Sequence, residues 1–314
     1  MMSKGYGYYV SNFLQIFVKH RFRGWGRKKT GRFASWCYHK FGGSIMLKED
    51  GFIRSLGLGV EGSPSFSLVE DDVGIFYDAT VPSKLENLLN TYDFEADVIL
   101  MAQAREAMAL VLKHNISKYN SAPNVDDDFC LKYALVEGEQ SILVVAQTAG
   151  DASLAYGMLT PYTTDDLITA ALVENPSAKV YVKVHPDVLS GKKSSDMNLE
   201  GLDKRCVIID DDVNPLSLLK QFDKVYTKTS QMGFEALLVG CECVCFGMPF
   251  YAGWGVTDDR TSCKRRTVTR SVEEVFAAAY ILYTRYYNPY KKRDCDIFEV
   301  IAELVERRAL IKSF

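Results

Sequence analysis

Along this chain, short apolar runs closed by turn residues alternate with stretches in which apolar positions recur at helical spacing. The alternation is most regular in the second half. Strands are predicted there at 141–146, 178–184, 206–210, 224–227 and 242–246, with helices at 164–174, 215–221 and 231–239 between them. Such repetition predicts βαβ units on a mostly parallel sheet. Earlier, 97–102 reads as a strand and 105–119 as a helix, and two long helical patterns, 271–286 and 296–310, close the chain. The acidic, proline-containing stretch 121–128 is the natural linker. The expected fold is α/β, with two Rossmann-like lobes facing a central cleft and C-terminal helices. The expected divisions are a first lobe at 1–125, a second at 126–270, and helices at 271–314 that pack back across both.

Composition narrows the class. With 314 residues, 47% apolar and 25% charged, the chain reads as a soluble globular protein of about two domains. No apolar run approaches the ~18–20 residues of a membrane-spanning helix, and no signal-peptide pattern is read at the start. The net charge of −3 conceals an asymmetry: residues 1–48 carry ten Lys/Arg and no Asp or Glu. With Tyr6, Tyr8, Tyr9, Phe13, Phe17, Phe22 and Trp25 among those cations, the leader fits an anionic membrane surface. An ordinary first helix with solvated cations is the alternative, and nucleic acid is not expected as a partner. Cys241, Cys243 and Cys245 alternate as on one face of a buried strand, and reduced thiols fit a cytoplasmic protein.

Candidate chemistry lies at predicted strand ends. Gly57, Gly59 and Gly62 match a dinucleotide fingerprint, but no helical period follows, so the match carries no dinucleotide site. Acidic runs at 70–72, 126–128 and 210–212 read as solvated charge rather than metal ligands. His185-Pro186 closes the strand that carries Lys183, and is either a phosphate contact or a turn. Thr229 and Ser230 open the helix 231–239, where free amides and the helix dipole favour an anion; Ser230 also fits a plain N-cap. Glu235, in that helix, either reaches a ribose hydroxyl or supports the loop. The loop 247–255, with Tyr251, Gly253 and Trp254, looks rigid enough to stack a ring. Gln147, Asp151 and Ser153 follow the first strand of the second lobe, while Glu49, Asp50 and Arg54 form a short loop in the first. Paired carboxylates across a cleft suit sugar transfer through an oxocarbenium-like state.

The segments KEDGFIRSLGLG, DVGIFYDATVPSKLENLL, QTAGDAS, KVHPDV, TSQMGFEALLVG and FGMPFYAGWGVTDDR occur in that order. Together they resemble the capsule-type β-Kdo transferase (KpsC) family over residues 22 to 300. The resemblance implies a GT-B-like, retaining transferase that moves Kdo, an acidic eight-carbon sugar, from CMP-β-Kdo to a glycolipid or surface-polysaccharide acceptor. It implies Asp151 as the nucleophile of a covalent Kdo intermediate. His185, Lys183, Thr229 and Ser230 would then attend the phosphate, and Glu235 with the Phe250–Trp254 loop the cytidine. Glu49 or Asp50 would be the acid/base, with Arg54 near the Kdo carboxylate. No metal is obligatory, because one phosphate leaves as CMP. The enzyme would sit peripherally at the cytoplasmic face of the inner membrane. Another CMP-activated ulosonic acid as donor, or a silent scaffold in polysaccharide assembly, are the rival readings. Gly150, Ala146, Lys228 and Thr284 depart from the family pattern, and the chain has one such module where capsule members often have two in tandem.

Overall fold

The computed structural model describes residues 2–18, 20–59, 62–136, 138–184, 196–198 and 201–312. Two sheets organise them. In the first, β1 (Arg21–Trp25) and β2 (Ser44–Asp50) are parallel and joined by helix α2 (Lys29–Phe41), with α1 (Met2–Val18) packed on the outer strand. β3 (Ser67–Asp71) runs antiparallel to β2. β10 (Thr284–Asn288) and β11 (Arg293–Cys295) return from the far end of the chain to complete the order β1-β2-β3-β10-β11. Helices α3 (Lys84–Thr91), α4 (Val98–His114) and α5 (Asp127–Tyr133) lead to the second sheet.

That sheet is wholly parallel, in the order β6-β5-β4-β7-β8-β9. Its strands are β4 (Ser141–Val145), β5 (Lys179–Lys183), β6 (Cys206–Ile209), β7 (Lys224–Thr227), β8 (Glu242–Cys245) and β9 (Asp258–Asp259). Helices α6 (Ala152–Gly157), α7 (Thr164–Glu174), α8 (Pro215–Leu219) and α9 (Gln231–Val239) connect them. All five β4 residues are buried. Leu143 and Val145 enter one cluster with Val225, while Ile142 and Val144 enter another with Tyr226 and Val244. A strand covered on both faces carries such an unbroken apolar run. The order reverses between β4 and β7, and ligands of open α/β sheets bind at the strand carboxyl ends beside such a switch point.

Three expectations are corrected. Residues 97–102 open helix α4 rather than forming a strand: Asp97 caps it, its Oδ1 accepting from Leu100 N at 2.9 Å. Val98 and Ile99 are exposed, so the apolar run that suggested a buried strand is the outer start of a helix. The pattern at 271–286 is not one helix. It divides into α10 (Val272–Phe276), a wide-turned π-helix (Ala277–Tyr283) and then β10, whose residues alternate buried and exposed against β3. Helix α11 (Ile297–Lys312) ends the described chain much as expected. The first sheet is mixed rather than parallel, because only β1–β2 has a helical crossover. Cys243 and Cys245 share a face, their sulfurs 3.8 Å apart, and with Cys241 they are buried free thiols.

The two sheets share one core. Leu47 and Phe52 of the first lobe pack in the same cluster as Phe234, Phe250 and Trp254 of the second and Tyr280 of the π-helix.

Candidate functional site

Gln147, just past β4, is buried and reaches across the switch point to the end of β7. Its Oε1 accepts from Thr229 N at 2.8 Å, and its Nε2 donates to Thr229 Oγ1 at 3.1 Å. The same Nε2 lies 3.4 Å from both Asp151 Oδ2 and Ser153 Oγ. Ser153 Oγ and Thr229 Oγ1 are 2.9 Å apart. Gly150 takes φ +87, a left-handed turn that starts the chain into α6 at Asp151. Asp151 caps that helix, its Oδ1 accepting from Ser153 N at 2.9 Å, and remains exposed. Ser230 caps α9, accepting from Met232 N at 3.2 Å. Five of the sequence-selected residues thus converge: Gln147, Asp151, Ser153, Thr229 and Ser230. Chemically, this is an open carboxylate with fixed orientation beside two hydroxyls and a helix N-terminus that favours anions.

Lys183 is not brought into this group. Its ammonium donates to Asp211 O at 2.9 Å and Val184 O at 3.3 Å. Burial pushes its pKa down, opposed by Asp212, Asp210 and Asp211. His185 and Pro186 lie outside the described residues. Lys228 is wholly buried, paired with Asp196 at 2.6 Å and donating to Thr164 Oγ1 at 3.2 Å.

The first-lobe carboxylates differ in their partners. Glu49 Oε1 accepts from the Trp25 indole at 2.7 Å, and the Tyr77 hydroxyl lies 3.4 Å from its Oε2. Burial pushes the Glu49 carboxyl up, against the Asp50 N–H, the Lys28 and Lys118 charges and the Trp25 bond. Asp50 instead pairs with Arg54 at 2.9 Å. Arg54 also donates to Ser55 Oγ at 2.9 Å, and the glycine loop closes over it: a Cβ on Gly59 would fall 2.4 Å from its Nη2. Arg54 is thus held by Asp50 through Nε and by Ser55 Oγ and Ser63 O through Nη1, rather than standing as an open fork, and Gly59 lets the loop lie against its guanidinium.

Trp25 and Tyr77 were missed by sequence reasoning. They stand 24 and 28 positions from Glu49, so no local spacing links them to it. The two halves meet along α6. Ala79 N donates to Tyr156 O at 3.0 Å, and Arg27, which pairs with Asp78 at 2.5 Å, lies 5.8 Å over the Tyr156 ring. A Cβ on Gly157 would meet Thr229 Cγ2 at 2.9 Å and Tyr77 O at 3.4 Å, so glycine permits that approach.

Glu235 and the aromatic loop are also corrected. Glu235 is buried, accepting from Ser117 Oγ at 2.7 Å and Gln231 Nε2 at 3.3 Å, and burial pushes its carboxyl up. It presents no face to a ribose. Gln231 Nε2 also donates to Phe52 O at 2.9 Å, and Lys118 O accepts from the Arg54 and Ser55 amides. This network stitches α9 to the loop that follows Glu49 and Asp50 at the end of β2. Tyr251 and Trp254 are core residues rather than a stacking platform. The Tyr251 hydroxyl donates to Ser230 O at 2.5 Å, and the Trp254 indole donates to Phe250 O at 2.9 Å beneath Arg266. Gly253, at φ +82, turns the loop and donates its N–H to Asp259 Oδ2 at 2.8 Å. The rings fill the junction where the two sheets share their core, which explains so many aromatics in one segment.

A wholly parallel sheet with its polar cluster at the switch point, facing a second sheet that carries carboxylates, is the two-lobed, GT-B-like class expected from the sequence. The chain belongs to the capsule polysaccharide biosynthesis protein family, whose pattern matches residues 24–286. It is 44% identical over 284 residues to the capsule polysaccharide modification protein LipA of Neisseria meningitidis serogroup B, covering 88% of this chain and 40% of that protein. It is 42% identical over 238 residues to the lipopolysaccharide-processing protein LpsZ of Rhizobium meliloti, covering 76% of this chain and 53% of that one. The chain thus spans about half or less of the length of these relatives. Among solved structures, the Thermosulfurimonas dismutans KpsC β-Kdo 2,4 transferase superposes with a TM-score of 0.82 at 44% identity, over 90% of this chain and 86% of that one. The KpsC β-Kdo 2,7 transferase of the same organism gives 0.69 at 27% identity, over 95% and 89%.

Proposed function

We propose that this chain is a retaining β-Kdo transferase. It moves Kdo from CMP-β-Kdo to a glycolipid or surface-polysaccharide acceptor at the cytoplasmic membrane face, and needs no metal. The observation that carries the reading is the exposed Asp151 carboxylate, held by Gln147 and the Ser153 amide beside the Thr229–Ser230 helix start. Asp151 Oδ2 attacks the anomeric carbon as the bond to the phosphate oxygen breaks, and that electron pair leaves with CMP. The hydroxyls and the α9 N-terminus stabilise the departing charge, with His185 assigned there by the family resemblance. The acceptor hydroxyl then gives its proton to Glu49 and attacks the same carbon, releasing Asp151. Two inversions yield net retention.

Glu49 suits the base role better than Asp50, because burial raises its carboxyl above the ordinary glutamate value while Asp50 is engaged by Arg54. The greater likeness to the 2,4 transferase than to the 2,7 transferase supports a 2,4 linkage. The test is to incubate the protein with CMP-Kdo and weigh it intact. A Kdo-sized mass is expected on the wild type and not on Asp151→Ala, with the product linkage read by NMR. Failure to form an adduct or turn over any of a broad acceptor panel would overturn the reading. A competing CMP-activated ulosonic acid consumed faster than CMP-Kdo would reassign the donor.

A further inference from the structure

The outer surface of the first two helices is both apolar and cationic. Helix α1 packs inward on β1 through Asn12, whose side chain donates to Arg23 O and accepts from Arg23 N, each at 2.7 Å. Ile16 and a Tyr9–Phe33 ring contact at 5.3 Å complete that inner face. On the opposite side Val10, Leu14 and Val18, spaced four apart, are 44%, 57% and 69% exposed. A helix apolar on both the face it packs and the face turned away requires a second apolar neighbour. Beside it on α2, Lys29, Arg32, Trp36 and Lys40 recur at helical spacing along one exposed face. Phe33 stacks on the Trp36 ring at 5.9 Å, and the Lys40 ammonium lies 5.3 Å from that ring. Arg21 and Arg23 are also exposed, and residues 1–48 contain no acid.

We propose that this surface docks on an anionic bilayer. The α2 cations meet lipid headgroups while Val10, Leu14, Val18 and Trp36 enter the boundary between headgroups and acyl chains. Charge decides for lipid: a cationic face without acids complements anionic headgroups, and the apolar stripe has no use against a phosphate backbone alone. No helix among the described residues is long and apolar enough to cross a membrane, so α1 lies along the surface. The same edge of the sheet carries Trp25, which holds Glu49. A lipid-borne acceptor would therefore arrive next to the proposed base. The inference rests on the peripheral position proposed above and names the residues that produce it.

The test uses the full chain with vesicles of phosphatidylcholine alone or mixed with phosphatidylglycerol. Co-sedimentation is expected only with the mixed vesicles and should weaken as salt rises. Leu14→Asp with Val18→Asp, and separately Lys29→Glu with Arg32→Glu, should each lower partitioning by about tenfold or more. Brominated lipid should quench fluorescence that is absent in Trp36→Phe. Turnover of a water-soluble acceptor should be unchanged in all variants, which separates this surface from the transferase reading. Absence of binding to the mixed vesicles, or binding insensitive to the α1 and α2 changes, would overturn the proposal. So would a dimer in sedimentation equilibrium that Leu14→Asp dissolves, which would make the face an interface between copies.

Discussion

Replacing Gln147 by Glu tests the chemistry at the switch point with little change in shape. The retained oxygen still accepts the buried Thr229 N–H, now paired at 2.8 Å, so the link between β4 and β7 survives. The Nε2 donor becomes a second acceptor 3.4 Å from Asp151 Oδ2. Ser153 and Thr229 can turn their hydroxyls to donate, but a carboxylate cannot. Two unit charges at that distance repel by about 1 kcal/mol in water and about 5 kcal/mol at an effective dielectric of 20. With one partner buried and the other exposed, about 2 kcal/mol is reasonable, equivalent to ~1.5 pH units for removing the shared proton. The rate of adduct formation from CMP-Kdo, followed by intact mass from acid to neutral pH, should therefore show its acidic limb displaced upward by that amount. Activity lost in mild acid should return as pH rises to neutral. Gln147→Ala is the contrast: it leaves the Thr229 amide unpaired, costs about 1–3 kcal/mol of stability, and produces no such displacement. A Gln147→Glu profile that superposes on the wild type would refute the placement of Asp151 as the reacting group.

Three further outcomes are expected. Glu49→Gln should accumulate the sugar adduct and slow its transfer to acceptor by about 10²–10⁴-fold, whereas Asp50→Asn, which only frees Arg54, should do neither; rapid-quench mass spectrometry distinguishes them. Burial holds the Glu235 carboxyl above its usual value of 4.5, so its contribution to wild-type stability is full below that pH and is lost as pH rises through the folded value. Glu235→Gln keeps an acceptor for Ser117 and Gln231, and its thermal midpoint should gain on the wild type from acid to neutral pH. Glu86, nearly buried, pairs with Arg265 at 2.7 Å and with the buried Arg266 at 3.2 Å. Glu86→Ala should cost about 3–5 kcal/mol in urea unfolding, because it strands the Arg266 charge.

The second sheet was legible because strands covered on both sides must be apolar throughout, and because their polar groups gather at one end. Gln147, Asp151, Thr229 and Ser230 were found for that reason. The run at 97–102 misled because a short apolar stretch fits a strand or a helix equally, and only the Asp97 cap decides between them. The 271–286 pattern misled because buried residues run on from the helical turns through Tyr283 into Thr284 and Tyr286, where the spacing changes to strand period. The aromatic loop was taken for a ligand platform because sequence shows ring content but not what the rings touch. The choice between Glu49 and Asp50 stayed open for the same reason: Arg54 lies close to Asp50 in sequence, but the residues that hold Glu49 are distant.

The return of β10 and β11 to the first sheet has a consequence for biosynthesis. β3 gains its second neighbour only when Thr284 has been made, 213 positions after Asp71 at the end of β3. Until then the nascent chain offers an open strand edge, a template for mispairing with other chains. A chain halted just before that point would hold every strand of the second sheet but leave the first without its closing pair. The half made earlier would thus wait on β10 and β11, made after the second sheet, to be completed.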